Sequence, residues 1–390
     1  MKTFRIKKGG LPARIQIPSS KSYANRALIL AAIKNERTEL RNIPEASDVT
    51  NLLLALRKCG LHIQEKDHTV VLENSFPACE KQEGILEVGE GGTTARFLAA
   101  LLTLGKNKHT LKLGKRLKDR PWDEFLAICK DLSVSVTLDH DLLQVQGPLH
   151  LNKKLTIDCQ RTTQFATAFD LILEEGNVIP INLESSESYW KMNAPLKKAI
   201  VSQSFYEIPA DWSSASYPLA FAALNQEIFF PGLRFDPYQA DAKFLQVLQD
   251  FAHVKISDEG ISVGPAAHDK QIRLSMNDCL DLFPAMVFLA AHLNGKHELT
   301  GLSNLIHKES NRLEEMCRLL QAFERKYEVK GEVLTIEGHS RIMGEKHLTL
   351  PDDHRIVMTA ALFLRHHSGG TIDQPDSVAK SYPRFFELFH

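Results

Sequence analysis

Four stretches of the chain set cations and hydroxyls where a helix would begin: Lys21, Ser22 and Arg26 in SSKSYANRAL; Gly92, Thr93 and Arg96 in GEGGTTARF; Thr162, Thr163 and Gln164 in RTTQF; Asp353, His354 and Arg355 in DDHR. The free N–H groups and positive dipole end of a helix N-terminus suit a phosphate or a carboxylate, so tips furnished in this way read as anion sites. Ser22 and Arg26 stand four apart on one helix face, as do Lys308 and Arg312 in HKESNRL, with Glu309 beside the second pair. Arg120 precedes Pro121 at another helix start, and Lys380 lies in VAKSYP. Each feature alone is weak. GEGGTT has neither the Lys and spacing of a P-loop nor the GxGxxG pattern, and a Lys/Arg pair beside Glu is commonly a surface ion-pair patch. Repeated tips carrying basic residues are what a surface reading explains badly. DDHR and His366-His367 bring acids and imidazoles together, but no acidic or His partner recurs at ligand spacing along the chain, so no metal is expected.

Such tips need helices to carry them. SSKSYANRALILAAI, GGTTARFLAALLTL, TTQFATAFDLIL, DWSSASYPLAFAAL, DCLDLFPAMVFLAAHL and DDHRIVMTAALFL open on small polar or charged residues near Ser19, Gly91, Thr162, Asp211, Asp278 and Asp352, then turn almost wholly apolar. Their starts lie about 50 to 75 residues apart, the mark of a repeated unit. A segment apolar all round belongs inside a core, and a leading Ser, Thr or Asp offers an oxygen to the unpaired helix N–H groups. Amphipathic segments alternate with these: SDVTNLLLALRKCG, RPWDEFLAICKDL, YWKMNAPLKKAIV, YQADAKFLQVLQDF, KESNRLEEMCRLLQAF and the closing SVAKSYPRFFELF. Pro121 suits a first-turn position and Gly60 a left-handed cap. HTVVLE, LLQVQG, VKISDEGISVG and EVLTIEG read as strands and hairpins. Six βαβ-like units predict an α/β fold in two domains of three units each, with a seam near Ile208 to Asp211 where FYEIPADWSS interrupts the pattern.

A length of 390 residues agrees with two domains, because it exceeds what one core usually organises. Lys and Arg number 47 against 48 Asp and Glu, so the formal charge of -1 gives no general field for nucleic acid or an anionic membrane. No apolar run approaches the roughly 18 to 20 residues that span a bilayer, and MKTFRIKKGG lacks the apolar region of a signal peptide. The expectation is a cytoplasmic monomer without nucleic-acid or membrane partners. Cysteines at 59, 79, 129, 159, 279 and 317 show no CxxC and no zinc spacing, and reduced, mostly buried thiols are expected.

At these residues the sequence closely resembles the 5-enolpyruvylshikimate-3-phosphate synthase family over nearly its whole length. SKSYANRALILAA is similar to that family's SKSxxxRAL opening, GEGGTTARFLAAL to its GNxGTxxR segment and KDRPWDEF to its ERP segment. TTQFATAF, SSASYPLAFAAL, DCLDLFPA, HKESNRLEEM, DDHRIVM and VAKSYPRFF follow in the family's order. The resemblance implies a two-domain inverse α/β, barrel-like enolpyruvyl transferase fold with three βαβ-type repeats per domain, residues 17–209 forming the first domain and 1–16 plus 210–390 the second, with the active-site cleft between them. It implies phosphoenolpyruvate and shikimate 3-phosphate as substrates and no cofactor. By similarity Lys21, Gly92, Arg120, Gln164, Arg312, Arg355 and Lys380 would hold phosphoenolpyruvate. Ser22, Arg26, Thr162, Thr163, Gln164, Ser186, Tyr189, Asp281, Asn304 and Lys308 would hold shikimate 3-phosphate. Asp281 and Glu309 are the acid/base carboxyls by the same resemblance, with Lys21 or Lys308 able to assist, and ligand-induced domain closure would assemble the site.

Three positions depart from the family pattern. Glu90 stands where Asn is usual, and a carboxylate there would oppose an anion unless Arg96 or another cation pairs with it. PSSKS replaces PGSKS, and Asn311 replaces a frequent Asp. Two other readings compete: an enolpyruvyl transferase acting on UDP-N-acetylglucosamine, which SKS, RPW and the absence of a loop cysteine disfavour, and a non-catalytic homologue that binds anionic metabolites, suggested by Glu90 and Asn311.

Overall fold

The computed structural model describes residues 3–183, 187–266, 270–338 and 344–390; the predicted contact Ser186 lies outside them. The chain divides into two units, Ser19–Pro209 and Met1–Pro18 with Ala210–His390.

The unit Ser19–Pro209 holds helices α1 (Lys21–Ile33), α2 (Ser47–Lys58), α3 (Gly92–Leu102), α4 (Asp123–Asp131), α5 (Gln164–Ile172), α6 (Glu187–Lys191) and α7 (Asn193–Ser202). The apolar helices α1, α3 and α5 pack on one another at its centre, because Ala and Leu on every side leave no face for water. Sheets lie outside them. Strand Ile85–Glu87 pairs in parallel with His109–Lys112 across α3, and the hairpin Ser135–Asp139 and Leu142–Gln146 follows α4 and adds antiparallel. Leu86 faces Leu111 and Leu111 faces Leu143 in that register, so one apolar face meets the helices. Leu155–Asp158 and Val178–Ile181 flank α5 in the same parallel way. The first unit obtains its parallel partner from the far end of the segment: Phe205–Glu207 pairs with Thr38–Arg41.

The other unit repeats the scheme with α8 (Trp212–Asn225), α9 (Phe244–Phe251), α10 (Phe283–Ala290), α11 (Arg312–Ala322) and α12 (His354–His366). Here α8, α10 and α12 pack together, every residue of α10 being buried. Strands Arg273–Ser275 with Gly295–Thr300, and Lys346–Leu348 with Gly370–Asp373, are parallel pairs across α10 and α12. For α8 the partner comes from the other end of the sequence, Arg14 bridging in parallel to Phe229. Among the described residues the sheets stay separate and open, of two to four strands, and none closes into a barrel.

Several boundaries shift from expectation for local reasons. Pro121 lies outside α4, not in its first turn, because the buried Trp122 takes the cap position and its indole N–H donates to Leu117 O at 3.0 Å. YWKMNAPLKKAIV breaks into α6 and α7 at Met192, with Pro195, which has no N–H, in the new first turn. YQADAKFLQVLQDF begins as a 3-10 turn, Ala240–Lys243, before α9. The fifth buried helix starts at Phe283 with Pro284 in its first turn, leaving Asp278 to Leu282 as a turn ahead of it. SVAKSYPRFFELF is two 3-10 segments, Pro375–Lys380 and Phe385–Phe389, interrupted at Pro383. Gly60 does end α2 in a left-handed conformation, at φ 100°. The N-cap residues of the six buried helices fall at or a few residues beyond the expected leading positions: Ser20, Asp211 and Asp353 cap with their side chains, whereas Gly91, Thr163 and Leu282 do not.

Candidate active site

In the unit Ser19–Pro209 the predicted residues gather around the start of α3. Lys21 Nζ lies 3.0 Å from Asp48 Oδ2, both side chains being largely buried. Asp48 in turn lies under Gly91, where a Cβ would come within 2.6 Å of its Cγ, and its carbonyl accepts from Thr94 Oγ1 at 2.8 Å. A Cβ at Gly92 would stand 2.9 Å from both Arg120 Nη1 and Gln164 Oε1, so a bare backbone is what lets these two side chains close on the helix tip. Arg96, buried one turn further along, donates to Thr162 Oγ1 at 3.1 Å, Gln164 Oε1 at 2.8 Å and Pro121 O at 2.8 Å, and its guanidinium sits 4.6 Å over the Phe165 ring. Thr162 Oγ1 also accepts from the Gln164 N–H at 3.2 Å. Arg120 Nε is buried without a hydrogen-bond partner, a donor prepared for an acceptor.

Arg26 forms a neighbouring group. Its guanidinium donates to Asn193 Oδ1 at 3.2 Å, Ser22 O at 2.9 Å and Tyr189 O at 3.2 Å, and lies over the Phe97 and Tyr189 rings. Burial lowers Arg26 to about 10 and Arg96 to about 9, so both remain cations at neutral pH. Ser22 thus contributes its carbonyl here, and Thr163 is buried at the tip of α5.

In the other unit the carboxylates and cations interlock. Arg312 is fully buried and donates to Asp353 Oδ2 at 3.0 Å and Asp281 Oδ1 at 2.6 Å, with Glu309 Oε2 at 3.8 Å. Asp281 is also met by Lys308 at 3.4 Å and Arg355 at 3.1 Å. Glu309 Oε2 lies 2.8 Å from His354 Nδ1 and 3.5 Å from Lys380 Nζ. Burial alone would raise these carboxyls, but Arg355, Lys308 and Arg312 hold Asp281 well below the usual range, and Lys380, His354 and Arg312 do the same for Glu309. Asn304 is half-buried on the 3-10 turn Ser303–His307 just ahead of Lys308. Oxygen and nitrogen atoms of Glu309, Asp353 and His354 approach within 4.8 Å, a spacing open to a metal, yet Arg312 and Lys380 already supply the positive charge there.

Sequence reasoning passed over several partners. Asp48 was visible only as an acid in the first turn of an amphipathic helix, and Asp353 and His354 only as part of a tip. Asp241 carried no signal: it accepts from Ser213 Oγ, and burial followed by the neighbouring Asp281 pushes its carboxyl up to about 7. The departures are absorbed locally. Glu90 is not paired with Arg96; it accepts from the backbone N–H groups of Arg116 at 3.2 Å and Leu117 at 3.1 Å, which ties it to the 116–117 loop. Asn311 caps α11, accepting from the Glu314 N–H at 3.4 Å, as an Asp would. Ser19 is not among the residues of positive φ, so glycine is not required there.

Solved structures define the class of fold. An EPSP synthase from Acinetobacter baumannii superposes with a TM-score of 0.77 at 20% identity, over 100% of this chain and 97% of that one. The enolpyruvyl transferase NikO from Streptomyces tendae superposes with a TM-score of 0.77 at 14% identity, over 99% of this chain and 96% of the other. The architecture is therefore that of the enolpyruvyl transferases. The chain belongs to the EPSP synthase (3-phosphoshikimate 1-carboxyvinyltransferase) family, whose model matches residues 6–389. Among curated relatives, the 3-phosphoshikimate 1-carboxyvinyltransferase of Thermococcus kodakarensis is 29% identical over 96% of this chain and 95% of its own length. That of Vibrio vulnificus is 28% identical over 96% and 94%.

Proposed function

We propose that this chain transfers the enolpyruvyl group of phosphoenolpyruvate to the 5-hydroxyl of shikimate 3-phosphate and releases phosphate, acting as a cytoplasmic monomer on free small molecules. The observation that carries the reading is Glu309, a buried carboxylate set between His354, Lys380 and Arg312 and one residue from Lys308, which reaches Asp281.

The reaction requires a proton on C3 of phosphoenolpyruvate and the loss of one from the attacking hydroxyl. The hydroxyl oxygen adds to C2, giving a tetrahedral adduct; C3 then surrenders a proton as the C2–O bond to phosphate breaks and the double bond returns. Asp281, held ionised by three cations, suits the group that takes the hydroxyl proton. Glu309 begins ionised as well. When the anionic groups of phosphoenolpyruvate engage Lys380, Arg312 and Arg355, they neutralise the charges that depress Glu309, its proton affinity rises, and it becomes able to protonate C3. Lys21 and Lys308 assist in these transfers. Arg120, Gln164 and the Gly92 backbone also bind phosphoenolpyruvate; Ser22, Arg26, Thr162, Thr163, Gln164, Ser186, Tyr189 and Asn304 orient shikimate 3-phosphate. Arginines facing the departing phosphate stabilise its growing charge.

Purified protein given phosphoenolpyruvate and shikimate 3-phosphate should release phosphate, and Glu309→Gln should lower kcat by about 10²- to 10⁴-fold. Ligand binding without turnover would select the non-catalytic reading, and turnover only with UDP-N-acetylglucosamine would select the other enzyme.

A further inference from the structure

Away from the carboxylate cluster, three imidazoles meet at the C-terminal ends of two buried helices. His366 is the last residue of α12, His367 follows it, and His292 stands two residues beyond the end of α10. One ring nitrogen from each lies within 4.8 Å of the others. The surroundings are apolar, with Phe288 and Phe363 against His292 and Phe323 stacked on His367 at 5.2 Å.

The hydrogen bonds fix which nitrogens carry protons. His292 Nδ1 is 2.6 Å from Phe288 O; a carbonyl only accepts, so Nδ1 holds the proton and Nε2 the lone pair of the neutral ring. Arg325 Nη2 is 3.0 Å from His367 Nε2; a guanidinium only donates, so this nitrogen also presents a lone pair. These two acceptors face each other at 2.9 Å. His366 Nδ1 lies 2.8 Å from Asn225 Oδ1, which orients that ring as a donor at Nδ1 and an acceptor at Nε2. His292 and His366 thus have Nδ1 held by an oxygen atom, the outer contact that orients a metal-binding imidazole, while one ring nitrogen from each of the three histidines converges.

We propose that His292, His366 and His367 form a binding site for a divalent transition metal of the zinc or cobalt class, tying the C-terminal end of α12 to the segment that follows α10. Imidazole nitrogen favours zinc, cobalt, nickel and copper over magnesium and calcium. His292 and His366 are half-buried residues and His367 is buried, and a site of three histidines takes water as its fourth ligand. Arg325 competes for the His367 lone pair, so the metal must displace that donor.

Full-length protein stripped with a chelator and titrated with cobalt(II) chloride should develop the visible band of four-coordinate cobalt at one equivalent, bleached by zinc. His292→Gln and His366→Gln should each weaken cobalt binding at least about tenfold, and Arg325→Met should strengthen it, while the phosphate-release activity of the metal-free proteins stays unchanged. Absence of the band in the native chain overturns the proposal whatever the variants do. So does a band that survives in both histidine variants, which would place cobalt at Glu309, Asp353 and His354 or on the surface.

Discussion

Single side chains set the acid–base character of this protein. Asp281, Glu309 and Asp353 are buried, which works against ionisation, yet neighbouring cations hold each below its ordinary range. Such carboxylates contribute stability that is present above their unfolded pKa and lost as pH falls through the lower folded value. Asp241 behaves oppositely. Its proton is retained up to about 7 in the folded chain but leaves near about 4 once unfolded, so its contribution to stability declines as pH rises between those values. Asp241→Asn should therefore gain a few degrees in melting temperature relative to the native chain on going from pH 5 to pH 7.5. A difference that stays constant with pH would show that Asp241 does not titrate there. Glu90 holds a loop, its carboxylate accepting from the backbone N–H groups of Arg116 and Leu117.

Helices carry these residues, and their ends do the placing. Asp211 caps α8 through the Ser214 N–H at 2.7 Å, and Asp353 serves twice, capping α12 through the Arg355 N–H at 3.0 Å while binding Arg312. Asp211→Ala removes the first of these caps. The loss should be about 1 kcal/mol, a fall of about 2–4 °C in melting temperature for a unit of this size, read by calorimetry with phosphate release nearly unchanged. The buried helices were legible because an unbroken apolar stretch behind a polar tip has only the core to occupy. Their amphipathic companions were legible less sharply, since Pro195 and Pro383 act on backbone hydrogen bonds that the apolar pattern does not register.

Across the whole chain, each unit builds its own core of three packed helices under open sheets, and each carries part of the cation set. If both sets serve one pair of anionic substrates, the protein should respond to the two together: small-angle scattering should show a smaller radius of gyration with phosphoenolpyruvate or an analogue and shikimate 3-phosphate present, and an unchanged radius would count against a shared site. The six-fold alternation of apolar and amphipathic segments, the parallel pairing it implies and the cations at helix tips all followed from the sequence, because periodicity and capping chemistry act over a few neighbouring residues. What the tertiary structure alone decided were the partners brought in from a distance: Asp48 under Lys21, Asp353 and Asp281 on Arg312, Phe205–Glu207 beside Thr38–Arg41, and His292 against His366 and His367. No spacing along the chain announces such pairs, since burial and the loss of water select them only once separate elements have packed.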